Sequence, residues 1–174
     1  MNSRISEAII LASTAHKGQV RKYTEEPYIA HPFAVAGLVA SVSFDEDMII
    51  AALLHDVVED TDVSIDMIED MFGHLVAGMV SDLTDVSKPE DGNRAKRKKI
   101  DRLHTATASP KAKTIKLADL IDNTKTITVY DPNFAKVYMR EKRMLLKVLS
   151  SGDEKLFSIA ERMLLDYFKV GGYK

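Results

Sequence analysis

An all-α fold is predicted from three observations. Apolar residues recur at helical spacing along almost the whole chain. No two segments alternate apolar and polar residues as paired strands would. The 174 residues suffice for one sizeable core and leave little room for a second full domain. The expectation is a single helical-bundle domain over residues 1–174, with about eight to ten helices of ordinary length.

The elements follow in order. Ile5, Ala8, Ile9 and Ala12 mark a first helix, which should stop near Lys17-Gly18. Gln19 to Ala30 reads as a polar loop containing Pro27. A second helix is predicted to start at Pro32, because proline suits a first helical turn. A third starts near Asp45 and runs through Ile49, Ala52 and Leu53 into His55-Asp56. Ser64 is placed to cap a short helix with Ile65 and Ile68. Leu75, Val76, Met79, Val80 and Leu83 form another. Pro89 and Gly92 make Ser87–Asn93 the clearest internal loop. A basic helix begins near Arg94, and Ser109-Pro110 opens the next, which carries Ile115, Leu117, Ala118, Leu120 and Ile121. Asp131-Pro132-Asn133 reads as a turn. Helices over Val137–Leu149 and Glu154–Phe168 close the pattern, and their outer faces could support a homodimer or pack on the core.

With 45% apolar and 29% charged residues, the composition is that of a soluble globular protein. A net charge of −2 gives no reason to expect a nucleic-acid partner. No apolar run reaches membrane-spanning length, and the N-terminal residues lack the apolar core of a signal peptide, so a cytoplasmic location is expected. Cysteine is absent, so any metal must rest on His, Asp and Glu.

The stretch Leu53-Leu54-His55-Asp56-Val57-Val58-Glu59-Asp60 carries the chemistry. An adjacent His-Asp pair can hold a divalent metal, and after Ile49–Leu54 it should be buried, where it needs partners or an ion. Glu59 and Asp60 lie one helical turn further along, able to orient water or move protons. His31, fixed by Pro32 at a helix start, is a second imidazole. Asp119, flanked by Leu117, Ala118, Leu120 and Ile121, is poorly placed for a solvated face, and Asp122 is the other inward candidate. Two histidines and two aspartates suit Mn²⁺, Fe²⁺, Co²⁺ or Zn²⁺ better than Mg²⁺. Such an ion would support phosphoester hydrolysis.

The set His31, His55-Asp56 and Asp119 resembles the HD phosphohydrolase superfamily. Gly18–Tyr23, Glu26–Ile29, His31-Pro32, Leu53–Thr61 and Lys116–Asp119 are similar to the hydrolase domain of the RelA/SpoT homologues, in the same order. The likeness covers roughly residues 5 to 150 and looks like a stand-alone small alarmone hydrolase. It implies Mn²⁺-dependent removal of the 3′-pyrophosphate of ppGpp or pppGpp, with the metal on His31, His55, Asp56 and Asp119. It implies that Glu59 and Asp60 activate water. It also implies that Arg21 and Lys22 line the pocket for a guanosine nucleotide, with Asn123 at the ribose and Thr126 and Tyr138 nearby. Long members often have Gly where this chain has Glu25. A same-fold alternative is hydrolysis of another nucleotide, such as the 2′-phosphate of NADPH.

Arg94, Lys96, Arg97, Lys98, Lys99 and Arg102 read as a solvated helix face, with Arg94 or Lys98 as reserve contacts for distal phosphates. His16 and His74 are expected on helix faces, His104 at the surface, and Met139, Met144 and Met163 in the core.

Overall fold

The computed structural model describes residues 3–170. The outer ends of the expected domain, residues 1–2 and 171–174, lie outside the described residues. Ten α-helices are present among the described residues: α1 Arg4–Ala15, α2 Ala30–Ala40, α3 Glu46–Leu54, α4 Val57–Asp60, α5 Ile65–Phe72, α6 His74–Leu83, α7 Arg94–Thr107, α8 Pro110–Tyr130, α9 Pro132–Leu146 and α10 Glu154–Val170. A short 3₁₀ turn, Pro89–Asp91, interrupts the loop before α7. Strands are absent among the described residues, apart from one isolated antiparallel bridge between Val20 and Pro27.

Side-chain caps set the helix starts. Ser3, Asp45, Ser64, Asn93, Ser109, Asp131 and Asp153 each accept a hydrogen bond from the backbone amide three residues on. Helix α3 is buried almost on every side, with Ile50, Ala51, Ala52, Leu53 and Leu54 all inaccessible, and it packs against α1, α2, α6 and α8. Helix α8 supplies the facing apolar residues Ile115, Leu117, Ala118, Leu120 and Ile121. Candidate site residues therefore stand inside the core itself, His55 and Asp56 directly after α3 and Asp119 on α8.

Four sequence expectations need correction. Helix α2 starts at Ala30 rather than Pro32. Turn bonds from the Ala30 amide to Pro27 C=O (3.0 Å) and from the His31 amide to Tyr28 C=O (2.9 Å) wind its first turn ahead of the proline. The missing N–H of Pro32 then falls among amides that have no intrahelical partner anyway. The third helix stops at Leu54 instead of running through His55-Asp56. His55 Nδ1 donates to Ala52 C=O at 2.9 Å, the carbonyl an uninterrupted helix would offer to the Asp56 amide. Asp131-Pro132-Asn133 is a helix start: Asp131 alone joins α8 to α9, capping Phe134 N with Oδ1 at 3.0 Å. Met144 is 40% exposed and fills no core space, whereas Met139 is buried. Helices α9 and α10 pack on each other and on α8.

Candidate active site

Three separate segments bring the predicted metal set together. His31 stands in the first turn of α2, His55-Asp56 at the step between α3 and α4, and Asp119 mid-way along α8. Ligand atoms of His31, His55 and Asp56 all lie within 4.8 Å of one another. Asp56 Oδ2 is 3.2 Å from His55 Nε2 and 3.5 Å from His31 Nε2, and Asp119 Oδ1 is 3.3 Å from His31 Nε2.

The outer nitrogens settle what the inner ones offer. His55 Nδ1 donates to a carbonyl, so its Nε2 carries a lone pair, and that buried atom has no hydrogen-bond partner. His31 Nδ1 donates to Asp122 Oδ2 at 2.8 Å, which turns its Nε2 inward as well. With both rings neutral, two imidazole lone pairs and two carboxylates facing one point fit a divalent transition metal, which would displace the proton His31 otherwise shares with Asp119, and the outer hydrogen bonds are of the kind that orient such ligands. Asp119 and Asp122 are not alternatives: three residues apart, they share one face of α8 and contact opposite nitrogens of the same ring.

Electrostatics follow from that packing. Burial disfavours charge on His31, but hydrogen bonds to Asp119 and Asp122 outweigh it and lift its pKa to about 9. Burial likewise opposes the protonation of His55, and Asp56 overcomes it, raising the pKa. Burial would raise Asp119, yet the Lys116 ammonium at 3.1 Å and the His31 hydrogen bond hold it well below the usual carboxylate range.

An open cavity of about 280 Å³ adjoins this cluster. Asp56, Glu59, Asp60 and Asp119 line it together with Arg94, Lys98, Arg102 and Glu141. Glu59 reaches the Asp85 amide with Oε1 at 2.6 Å. Burial among protein atoms, then the Asp85 charge, lifts its pKa to about 7. Asp60 is raised by the same cause and by Asp56.

The remaining predicted residues divide into two groups. Arg21 reaches Asn123 Oδ1, Asp122 Oδ2 and Thr126 Oγ1 at 3.3–3.4 Å, so these four form one cluster on the loop side of α8. Asn123 Nδ2 in turn donates to Asp119 Oδ1 at 2.5 Å. Tyr138 lines the cavity, its hydroxyl 3.4 Å from Leu120 C=O. Lys22 stays outside the cavity, with its ammonium over Tyr23 and Phe134. Of the basic run, Arg94 and Lys98 line the cavity as the reserve reading allowed. Arg94 grips Glu141 with two 2.8 Å bonds and Lys98 meets Asp85 at 2.5 Å.

Sequence reading missed several residues at this site. Tyr28 donates to Asp56 Oδ2 at 2.6 Å. His16, expected on a helix face, is buried against the Tyr28 ring with centroids 4.8 Å apart, and Gln19 Oε1 takes its Nδ1 at 2.8 Å. Lys142 is buried and lines the cavity. Helical spacing from Asp119 could have exposed Lys116 at i−3. Nothing in the local pattern marks Lys142.

Comparison with known proteins places this geometry. The HD domain profile matches residues 8–149. The chain belongs to the HD domain family. Among curated HD relatives, the Synechocystis protein named probable guanosine-3′,5′-bis(diphosphate) 3′-pyrophosphohydrolase is 38% identical over 84% of this chain, which spans only 20% of that protein's length. The Drosophila melanogaster protein MESH1, named as an enzyme of the same activity, is also 38% identical, over 75% of this chain and 73% of its own. A solved metazoan SpoT orthologue, described as hydrolysing ppGpp, superposes with a TM-score of 0.85 at 30% identity, covering 100% of this chain and 98% of that one.

Proposed function

We propose that this chain is a metal-dependent phosphohydrolase that removes the 3′-pyrophosphate of ppGpp or pppGpp, giving GDP or GTP and pyrophosphate. The observation that carries the reading is the likeness, over the full length of this chain, to a solved protein that hydrolyses ppGpp. The geometry supports it with a two-His, two-Asp cluster beside a cavity lined by acids and cations together. His31, His55, Asp56 and Asp119 would hold the ion, for which we propose Mn²⁺. When bound, that ion supplies Lewis acidity, lowering the pKa of water and screening phosphate charge.

The chain's own residues do the rest. Glu59, with its pKa near 7, takes a proton from the attacking water, and Asp60 orients it. Water attacks the phosphorus next to the 3′-oxygen, the P–O bond to the ribose breaks, and the nucleoside oxygen takes up a proton. Tyr28 holds Asp56 in place by donating to Oδ2, the same oxygen that faces His31 and His55. Asn123 and Tyr138, which line the cavity, would bound the space for the nucleoside, with Arg21 and Thr126 outside the lining, bonded to each other and through Arg21 to Asn123, and Lys22 further out. A phosphorylated nucleoside implies a cytoplasmic location, where such nucleotides are held, and one domain over residues 1–174 suffices for the reaction.

Incubation with ppGpp and with NADPH, side by side in Mn²⁺, tests this. Pyrophosphate and GDP from ppGpp are expected. Phosphate from NADPH, with ppGpp untouched, would replace the reading with the 2′-phosphatase alternative.

A further inference from the structure

Five cations line the cavity, and they are not equivalent. Arg94 is matched by Glu141, Lys98 by Asp85 and Asp101, and Lys116 by Asp119. Arg102 is half-exposed, so water solvates it. Lys142 differs from all of these. It is 1% exposed, it stands on α9 among the residues lining the cavity, and no carboxylate lies within 4.0 Å of its ammonium among the described residues. Its hydrogen bond goes to Thr124 Oγ1 at 2.8 Å. The Thr124 hydroxyl spends its own proton on Leu120 C=O, so it is free to accept from the lysine.

A buried ammonium carries three donors and needs partners for them. One neutral oxygen leaves most of that demand unmet. Burial accordingly pulls the Lys142 pKa down to about 8, opposed by the charge of Asp119. Such a residue lowers the stability of the fold, and a methionine of similar shape would remove the cost. Groups placed at this disadvantage beside a cavity concentrate at functional sites. The missing partner is an acceptor with more than one oxygen and negative charge, entering from the cavity. The neighbouring cations Arg94, Lys98 and Arg102 select for a polyanion in the same space.

We propose that Lys142 binds a diphosphate group of the substrate in this cavity, as a specificity-determining contact. This inference rests on the phosphohydrolase reading above. A substrate with two diphosphates offers two sources, the scissile 3′ group and the 5′ group that stays on the nucleoside, and both share the chemistry that an ammonium recognises.

Binding separates them without needing turnover. The full chain with Mn²⁺ is titrated calorimetrically with inorganic pyrophosphate and, separately, with GDP, for the wild type and for Lys142→Met and Lys142→Arg. The affinity of Lys142→Met for one probe should fall about ten- to a hundredfold, the range for a hydrogen bond to a charged group. Loss for pyrophosphate alone assigns the scissile group, and loss for GDP alone assigns the 5′ group. Lys142→Arg, which keeps the charge, should recover part of the affinity. The thermal midpoint of Lys142→Met should equal or exceed the wild type, which separates a lost contact from a lost fold. Unchanged affinity for both probes in a folded Lys142→Met protein overturns the inference. Absence of ppGpp turnover by the wild type would instead overturn the reading beneath it.

Discussion

Around His31, His55, Asp56 and Asp119, every side chain is held by another group inside the protein. Asp122 holds His31, Ala52 C=O holds His55, Tyr28 holds Asp56, and Lys116 with Asn123 holds Asp119. On the α7 side, cations meet acids near solvent: Arg94 and Glu141 are 46% and 24% exposed, and Lys98 and Asp85 37% and 34%. The first region is organised before anything binds. In the second, an arriving phosphate must displace or share acids that already occupy the cations. On the proposed reading, the first region is a metal end built for affinity and position, and the rim is built for exchange, which suits release of a charged product.

The largest expected effect breaks the metal end. Asp56→Ala removes a ligand and the partner of Tyr28, and ppGpp turnover should fall more than about 10³-fold, the several kcal/mol a bound ion contributes. Metal content by mass spectrometry should drop in parallel. A variant that keeps its metal and its rate would dissolve the contrast between the two regions.

Glu59 stands between them and gives the second test. Its carboxyl is protonated below its pKa of about 7, so the base is lost as pH falls through neutrality. The rate should show an acid limb near pH 7, and Glu59→Gln should abolish that limb and cost about 10²–10⁴ in kcat. The stability sign is opposite. Because the folded protein holds this proton above the ordinary value of 4.5, ionisation weakens the fold as pH rises through that window. Glu59→Gln should flatten that dependence in thermal melts.

At the rim, Arg94→Ala should change little in the fold, since exposed ion pairs contribute about 0–1 kcal/mol. It should raise KM about tenfold with kcat nearly unchanged, a loss of uniform binding to phosphate. A fall in kcat with unchanged KM would mean that Arg94 belongs with the metal end instead. The smallest effect is expected at Glu25, whose φ of 57° places it in the left-handed region. Glu25→Gly should relieve about 1 kcal/mol of backbone strain, partly offset by chain entropy, and raise the melting temperature by a few degrees. The same strain gives a physical reason for glycine at this position in long members of the resembled family.

The metal end was more legible in the sequence than the rim, for a physical reason. His55, Asp56 and Asp119 sit inside apolar runs, and a charged residue in a buried stretch announces itself. Their supports are harder to read. Tyr28 and His16 contact the site through a loop whose path depends on the bond from Gln19 to Asp60 C=O, across 41 residues. Lys142 lies in Lys142-Arg143-Met144-Leu145-Leu146, where a basic residue looks like part of a solvated face, and only the rotation of α9 turns it inward. Asp131-Pro132 looked like a turn because both residues favour turns, yet the pair is equally a cap followed by a first helical residue.

That one-residue junction has a reach beyond its own position. Asp131 caps α9 with one carboxylate oxygen and takes the Tyr23 hydroxyl on the other at 3.1 Å, so the tilt of α9, the end of α8 and the loop carrying Arg21 are pinned at a single point. Its backbone torsions, φ −135° and ψ 74°, set the direction in which Tyr138, Glu141 and Lys142 are presented. A change at residue 131 could re-aim that whole wall while leaving the two histidines untouched. A fold arranged this way can be retuned toward a different anion by evolution at the joint, with its hydrolytic centre inherited intact.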